Sequence, residues 1–347
     1  MKAVIPVAGA GKRLRPLTYT QPKPLIPVAG KPIISFIIDQ LVNIGVTDFV
    51  FIIGYLGEKI ESYIQEAYPQ IKAEFVLQGD RRGSGHALWT ARETFADAEE
   101  IIIFFGDVII DANIEDIVNN PHSCLAVRKV SDPRQFGVVE LKSDGTVNRL
   151  IEKPRIPKSD LAMVGVYKIK EVDVLLDALN FNISRKIKTD DNYPLTDALM
   201  RMVEKDVHFD IYPVDNWFDC GKREVLLETN AIFLDREGFA SKDIPNLENS
   251  IIIHPVSIGK DCKIANSIIG PHVTVGSNVN INNAILKNSI IGNYTSIKEV
   301  ILQRSVVGND TSITGLRQSL NIGDNSEIDF CYPLLKSISV LSPLSRT

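Results

Sequence analysis

Several residues in this chain are of types, and at spacings, that suit chemistry on phosphate. A run of small residues, Ala8-Gly9-Ala10-Gly11, follows a short apolar stretch and leads into Lys12-Arg13-Leu14-Arg15. Glycines let a backbone turn tightly and bring its N–H groups against phosphate oxygens. Arg13 adds a rigid fork of donors suited to phosphate oxygens, and Lys23 adds a point charge. Two familiar phosphate loops do not fit. A dinucleotide fingerprint needs a third glycine where Leu14 stands, and a Walker A loop needs Ser or Thr after Lys12, where Arg13 stands. Farther on, Asp107 follows Phe105-Gly106 at the C-terminal end of an apolar run. Ligands bind at that edge of open α/β sheets, and an acid there reads as a magnesium ligand, because Mg²⁺ takes hard oxygen donors.

The longer string is more specific. Residues 8–18 (AGAGKRLRPLT) and then Lys23-Pro24-Leu25-Ile26-Pro27-Val28 resemble the signature of the sugar-1-phosphate nucleotidylyltransferases, the family that includes glucose-1-phosphate thymidylyltransferase. Lys12 stands where that family often has threonine. The resemblance extends through about residue 235 in separated segments. Gln78 and Gly83 are similar to the segment with which the family reads a pyrimidine, and a glutamine amide carries the donor and acceptor that suit uracil or thymine. Asp219, in Trp217-Phe218-Asp219-Cys220-Gly221, resembles the second metal-binding aspartate beside Asp107. Phe136-Gly137, Glu152-Lys153-Pro154 and Val164-Gly165-Val166-Tyr167 match sugar-phosphate segments. By that match Glu152 accepts from sugar hydroxyls, Lys153 holds the 1-phosphate, and Gly137 and Gly165 line the sugar pocket. Tyr193-Pro194-Leu195-Thr196-Asp197 also resembles a family segment, with a helix cap by Thr196 or Asp197 as its simplest role. The resemblance thus implies a nucleotide site at Ala8, Gly9, Gly11, Arg13, Gln78 and Gly83. It implies catalytic charges on Arg13, Lys23, Asp107, Lys153 and Asp219, and Mg²⁺ on Asp107 and Asp219.

The elements that must position these residues fall into two kinds. In the first part, apolar strands at residues 3–7, 49–53, 75–77 and 101–105 alternate with amphipathic helices at 33–44, 59–67 and 84–95. That order predicts a Rossmann-like, mostly parallel mixed sheet with helices on both faces. Asp144-Gly145 between two apolar runs predicts a hairpin. The last part repeats. Aliphatic residues recur six apart at Ile258/Ile264, Ile269/Val275/Ile281, Ile291/Ile297, Val307/Ile313 and Ile322/Ile328, with glycine often following. Val273, Val279, Thr295, Thr311 and Ser326 supply the small or β-branched residues four positions on. This is similar to the hexapeptide repeat of left-handed parallel β-helices, at about 18 residues a turn on the repeat logic. The stretch 281–291 breaks the step and is expected to loop out. The domains are expected at 1–239, catalytic, and 240–347, β-helix with a C-terminal tail.

Bulk properties exclude other classes. The chain has 347 residues, enough for two domains, with 44% hydrophobic and 23% charged residues and a net charge of −5. No basic excess points to nucleic acid or an acidic membrane surface. No apolar run is long enough to span a bilayer. Cys124, Cys220, Cys262 and Cys331 form no C-x-x-C pair and read as scattered thiols of a cytoplasmic protein. The expected function is transfer of a nucleotidyl group to a sugar-1-phosphate, releasing pyrophosphate in the biosynthesis of nucleotide sugars for polysaccharides. dTTP or UTP and glucose-1-phosphate are the favoured substrates, in a homo-oligomer. Other readings are a mannose-1-phosphate guanylyltransferase, a transferase acting on another phosphate acceptor, a hexapeptide acyltransferase, and a non-catalytic regulatory subunit.

Overall fold

The computed structural model describes residues 1–242, 244 and 247–315, so Ile322, Ser326, Ile328 and Cys331 lie outside the described residues. The apolar runs of the first part form the middle of a nine-stranded mixed sheet. Lys2–Pro6 lies between Asp48–Ile53 and Ile101–Phe104, parallel to both, and Lys72–Leu77 extends the parallel set. Leu161–Ile169 then pairs antiparallel with Ile101–Phe104 and with Ser123–Lys129, whose outer neighbour is Phe209–Pro213. The expected hairpin is Gly137–Leu141 with Val147–Glu152, its turn closed by the Asp144 carboxylate accepting from the Thr146 amide at 2.9 Å.

Successive side chains of a strand alternate between faces, and both faces are covered. Val4, Val50, Ile103 and Leu125 pack with Leu88, Leu175 and Leu199 from one layer of helices. Ile5, Phe51 and Phe104 pack with Ile37, Leu41, Ile60 and Ile64 from the other. The helix expected over 84–95 is divided. It runs Ser84–Thr90 and gives way to a 3₁₀ turn, Arg92–Thr94. The Thr94 hydroxyl donates to the Ala91 carbonyl at 2.7 Å, a local bond of the kind that competes with helical continuation. Among the described residues no helix is long and apolar enough to cross a membrane.

The repeat folds into three parallel sheets wrapped as a prism, a left-handed β-helix. One face stacks Leu247, Ile264, Ile281, Ile297 and Ile313 in register. The coils therefore hold 17, 17, 16 and 16 residues, fewer than the 18 of a pure hexad repeat. The expected loop at 281–291 is absent. Asn280–Asn282, Ile285–Lys287 and Ser289–Ile291 are consecutive faces of one coil, joined by five-residue steps from Ile281 to Leu286 to Ile291. Such steps put Ile269, Leu286 and Leu302 in line on one face, and the hexad pattern missed the last two. The corners are made by residues at positive φ, among them Asn249, Asn266, Asn283 and Glu299, and Asp261, Asn278, Tyr294 and Asp310. Asn and Asp enter that region at less cost than other side chains.

The β-helix lies against the helix Arg223–Leu234 and the small hairpin of Pro27–Val28 with Lys31–Pro32. Ile290 joins Leu14, Ile26, Val28, Ile33, Phe36 and Leu227 in one core. Asn230, fully buried, is the polar node. Its carbonyl oxygen accepts from the Ala29 amide at 2.9 Å and from the Thr274 hydroxyl at 2.7 Å, and its amide donates to the His272 carbonyl at 3.4 Å.

Leu286 is fully buried in the prism and its neighbour Lys287 is exposed. Leu286→Ala should destabilise the chain by about 2–5 kcal/mol, and Lys287→Ala by less than about 0.5 kcal/mol. Chemical denaturation of both variants checks this. Equal small effects would mean that the position is not part of the packed interior.

Candidate active site

Strand register brings the two expected aspartates together. Asn216–Asp219 pairs antiparallel with Val108–Asp111, and Asp219 lies opposite Val108, the residue after Asp107. At the far end of this ribbon Asn216 donates to Asp111 at 3.1 Å, and Arg236, just past the helix Arg223–Leu234, donates to the same carboxylate at 2.8 Å. Asp111 thus clamps the ribbon to the helix, a structural role.

Lys23 sits on a 3₁₀ turn, Lys23–Leu25, with only 5% of its surface exposed. Its ammonium donates to Asp107 Oδ2 at 2.7 Å and lies 3.5 Å from Asp219 Oδ1. Arg13 reaches the other oxygen of Asp219 at 3.4 Å and remains 57% exposed. Removal from solvent opposes ionisation of Asp107, but the ammonium beside it outweighs this and holds the carboxyl below its ordinary range. Cys220, next to Asp219, is buried, and burial pushes its thiol up to about 12, which leaves it inert.

The loop in front of this cluster is held by Gly11, at φ 59°. A methyl group there would lie 2.9 Å from Thr18 Cγ2 and 3.3 Å from Lys23 Cβ, so glycine lets the loop close onto the lysine's own turn. The Thr18 hydroxyl donates to the Gly11 carbonyl at 2.9 Å. Across the cleft Gln78, 4% exposed, donates to the Gly83 carbonyl at 3.3 Å and lies 3.1 Å from His86 Nδ1. Burial first, then the Arg82 charge, lowers the His86 pKa from its ordinary value. Gly83 has φ 106°, and a methyl group there would lie 2.6 Å from the Tyr193 carbonyl oxygen.

These pieces line one cleft of ≈ 490 Å³, with Ala8, Gly9, Gly11, Arg13, Lys23, Gln78, Gly83 and Asp107 in its wall. Gly137, Glu152, Lys153 and Gly165 form an adjoining group rather than part of that wall. The Thr196 hydroxyl donates to Glu152 Oε2 at 2.6 Å, and Lys153 Nζ lies 3.5 Å from Glu152 Oε1. A methyl on Gly137 would meet Thr196 Oγ1 at 3.0 Å and Glu152 Oε2 at 3.4 Å. Gly165 kinks its strand at φ 89° and faces Phe105, which lines the cleft.

The 193–197 segment does not act as the expected cap. The cap position is Pro194, with no side-chain cap bond; Thr196 is bonded to Glu152, and Asp197 accepts from Thr189 at 2.9 Å. The segment joins the two groups instead. The Tyr193 carbonyl accepts from the Gly85 amide at 2.8 Å, and the Leu195 amide donates to the Ser84 hydroxyl at 2.9 Å, while Thr196 holds the Glu152 carboxylate. Sequence reasoning also passed over Arg81 and Asn192, which line the cleft. Both stand in polar loop stretches where nothing marks them apart from solvated neighbours.

Comparison with known proteins adds to the geometry. A family model described as "Nucleotidyl transferase" matches residues 2–236. A relative in Methanocaldococcus jannaschii, named bifunctional protein GlmU, is 36% identical over 237 residues, 68% of this chain and 55% of that protein. The chain therefore spans about half the length of that relative. A glucose-1-phosphate thymidylyltransferase of Streptomyces antibioticus is 29% identical over 84% of this chain and 87% of its own length. The low-salt glycan biosynthesis nucleotidyltransferase Agl11 of Haloferax volcanii is 27% identical over the same shares, 84% and 87%. Among solved structures, a UDP-glucose pyrophosphorylase complexed with UDP-glucose shares the fold, with a TM-score of 0.60 at 22% identity over 67% of this chain and 97% of that one.

The pairing of Lys23 with Asp107 sets a pH expectation. A carboxyl whose folded pKa is depressed stabilises the fold above its unfolded pKa, and that contribution is lost as pH falls through the folded value. Lys23→Met leaves burial as the main influence on Asp107 and raises its pKa. Asp107 then favours its protonated form in the fold, so thermal melts across pH 3–6 should show the native chain losing this contribution as pH falls while the variant keeps or gains stability. Coincident acid limbs would mean the ion pair does not control this carboxyl.

Proposed function

The chain belongs to the nucleotidyl transferase family, and from that premise we propose that it joins a nucleoside triphosphate to a sugar-1-phosphate, with release of pyrophosphate. The observation that carries this reading is a cleft lined by Arg13, Lys23 and Asp107 together with Gln78 and Gly83, with Asp219 ion-paired to Lys23 and Arg13. An oxygen of the sugar phosphate attacks the α-phosphorus of the triphosphate as the bond to the β-phosphate oxygen breaks. The acceptor is already an anion near neutral pH, with a second phosphate pKa of about 6, so it needs no general base. What it needs is screening and alignment.

The chain's residues suit those tasks. Backbone N–H groups of residues 8–11 and the Arg13 fork hold the triphosphate. Lys23 is buried, so its charge acts on the α-phosphate with little screening from water. Asp107 and Asp219 both reach the Lys23 ammonium and offer the hard oxygens that Mg²⁺ takes; when bound, Mg²⁺ would neutralise charge on the phosphates. Glu152, held by Thr196, accepts from sugar hydroxyls, and Lys153 meets the 1-phosphate. Gln78 favours a pyrimidine, hence dTTP or UTP, and the resemblance favours glucose-1-phosphate. Both deepen the coarser assignment as a sugar nucleotidyltransferase. The division into catalytic residues 1–239 and a β-helical part from 240, the latter assembling a homo-oligomer, is part of the same proposal.

Pyrophosphate release measured over the common nucleoside triphosphates against several sugar-1-phosphates tests the assignment. Turnover is expected with dTTP or UTP plus a hexose-1-phosphate. GTP as the best substrate would overturn the pyrimidine reading, and no release with any pair would overturn the reaction. Asp107→Asn and Asp219→Asn should each lower turnover by about 10²–10³ with the fold intact. Near-normal rates at saturating Mg²⁺ would remove that aspartate from the site.

A chain cut after residue 239 should keep measurable turnover, melt at lower temperature and lose its native assembly, because Ile290 and Thr274 no longer cover the helix that carries Asn230. Calorimetry, light scattering and the same assay check this. A folded, nucleotide-binding fragment without turnover would mean that the β-helix completes the active site.

A further inference from the structure

A second cluster of ligating side chains lies at the other end of the sheet. The cleft forms where Ile101–Phe104 ends, at Phe105–Asp107. In the same sheet Lys168 stands opposite both Ile102, near the start of that strand, and Cys124. Cys124 belongs to Ser123–Lys129, which pairs in parallel with the edge strand Phe209–Pro213, with Phe209 opposite Ser123. That register sets His208, one residue before Phe209, beside His122, one residue before Ser123. Asp210 follows His208 by two residues, on the same face of the strand, while Phe209 between them turns into the core at 2% exposure.

The three side chains meet. His122 Nδ1 lies 3.2 Å from Asp210 Oδ2, and His208 Nε2 lies 2.9 Å from Asp210 Oδ1. The two imidazole centroids are 4.7 Å apart, and one ligand atom from each residue falls within 4.8 Å of the others. The side chains are 53%, 48% and 34% exposed, so an ion and its water have access.

We propose that His122, His208 and Asp210 form a binding site for a divalent first-row transition metal of the zinc type, with water completing the coordination. The donor set decides the class of ion. Two imidazole nitrogens and one carboxylate suit Zn²⁺ or Co²⁺, whereas Mg²⁺ and Ca²⁺ take oxygen ligands. Metal–nitrogen bonds of about 2.0–2.1 Å need donor atoms a little over 3 Å apart in a tetrahedral shell. The two His–Asp separations are already close to that, so small side-chain rotations suffice. Backbone register between neighbouring strands fixes where the ligands start, which lowers the cost of assembling them. Bound there, the ion ties the strand Phe209–Pro213 to Ser123–Lys129, its one strand neighbour among the described residues, and places charge on that edge. The site is chemically distinct from the all-oxygen pair Asp107 and Asp219.

Metal-stripped full-length protein titrated with Co²⁺ and with Zn²⁺, by calorimetry and by Co²⁺ visible absorption, tests the site. A single equivalent should bind with micromolar or tighter affinity, and Co²⁺ should show the strong visible bands of a low-coordinate nitrogen–oxygen shell. His122→Ala and His208→Ala should each weaken it by at least about tenfold. The double variant Asp107→Asn, Asp219→Asn should retain it. Retention of the equivalent in both histidine variants would overturn the proposal, as would its loss in the aspartate double variant or the absence of micromolar binding. Both histidines are surface residues, and matching circular dichroism and melting of the metal-free variants confirms that they fold. None of these readouts depends on nucleotidyl transfer, so this site stands or falls apart from the catalytic reading.

Discussion

A buried ammonium must be paired, and the site is built around that requirement. Lys23 is 5% exposed, and an isolated charge so removed from water carries a large desolvation penalty. Asp107 and Asp219 offset it, and each is delivered by backbone rather than by a flexible stem. Asp107 follows the end of a central strand, and Asp219 is set beside it by the register of a two-stranded ribbon whose other end is clamped by Arg236 on Asp111. The two carboxylates and the lysine are therefore fixed together, and a shift in any one leaves an unpaired charge. The cleft therefore holds a preset field that no ligand has to organise.

The same constraint extends outward. The turn that carries Lys23 leans on the β-helix: Asn309 donates to Gln21 Oε1 at 3.2 Å, and Gln21 in turn donates to the Leu25 carbonyl at 2.7 Å. Behind it, Asn230 links the hairpin, the helix Arg223–Leu234 and one coil of the prism. The segment from Tyr193 to Thr196 likewise ties Ser84 and Gly85 to Glu152. The charged cluster thus sits between two supports that are far from it in sequence.

Much of this was legible in the sequence where the signal is local. Strand and helix periods showed the covered parallel sheet. The small-residue loop, Lys23 and Asp107 stood out because glycine turns, isolated charges and strand ends each carry a physical meaning by themselves. Asp219 was less visible: its partner is set by a ribbon register that no local pattern encodes, and only the surrounding motif singled it out. The role of Thr196 is open in the sequence, where a helix cap is as fair a reading as any, because its bond to Glu152 depends on a contact 44 residues away. Arg81 and Asn192 carried no mark at all. In the repeat, counting by six found the faces that keep the step and lost Leu286 and Leu302, since a corner that is one residue shorter changes the count without changing the direction of the side chain.

That shortened corner bears on how such a chain can change length over evolutionary time. In an ordinary sheet a one-residue deletion reverses which side chains face inward for the rest of the strand. Here the coils of 17 and of 16 residues stack in register, because the deletion is absorbed where the chain turns at a left-handed corner. Residues such as Ile291 and Val307 keep their inward positions after it. Single-residue gaps at these corners are therefore neutral to the interior, while the same gap within a face is not. Relatives should accordingly differ in coil length mainly at one edge of the prism, and the spacing between aliphatic residues, rather than their identity, records that history.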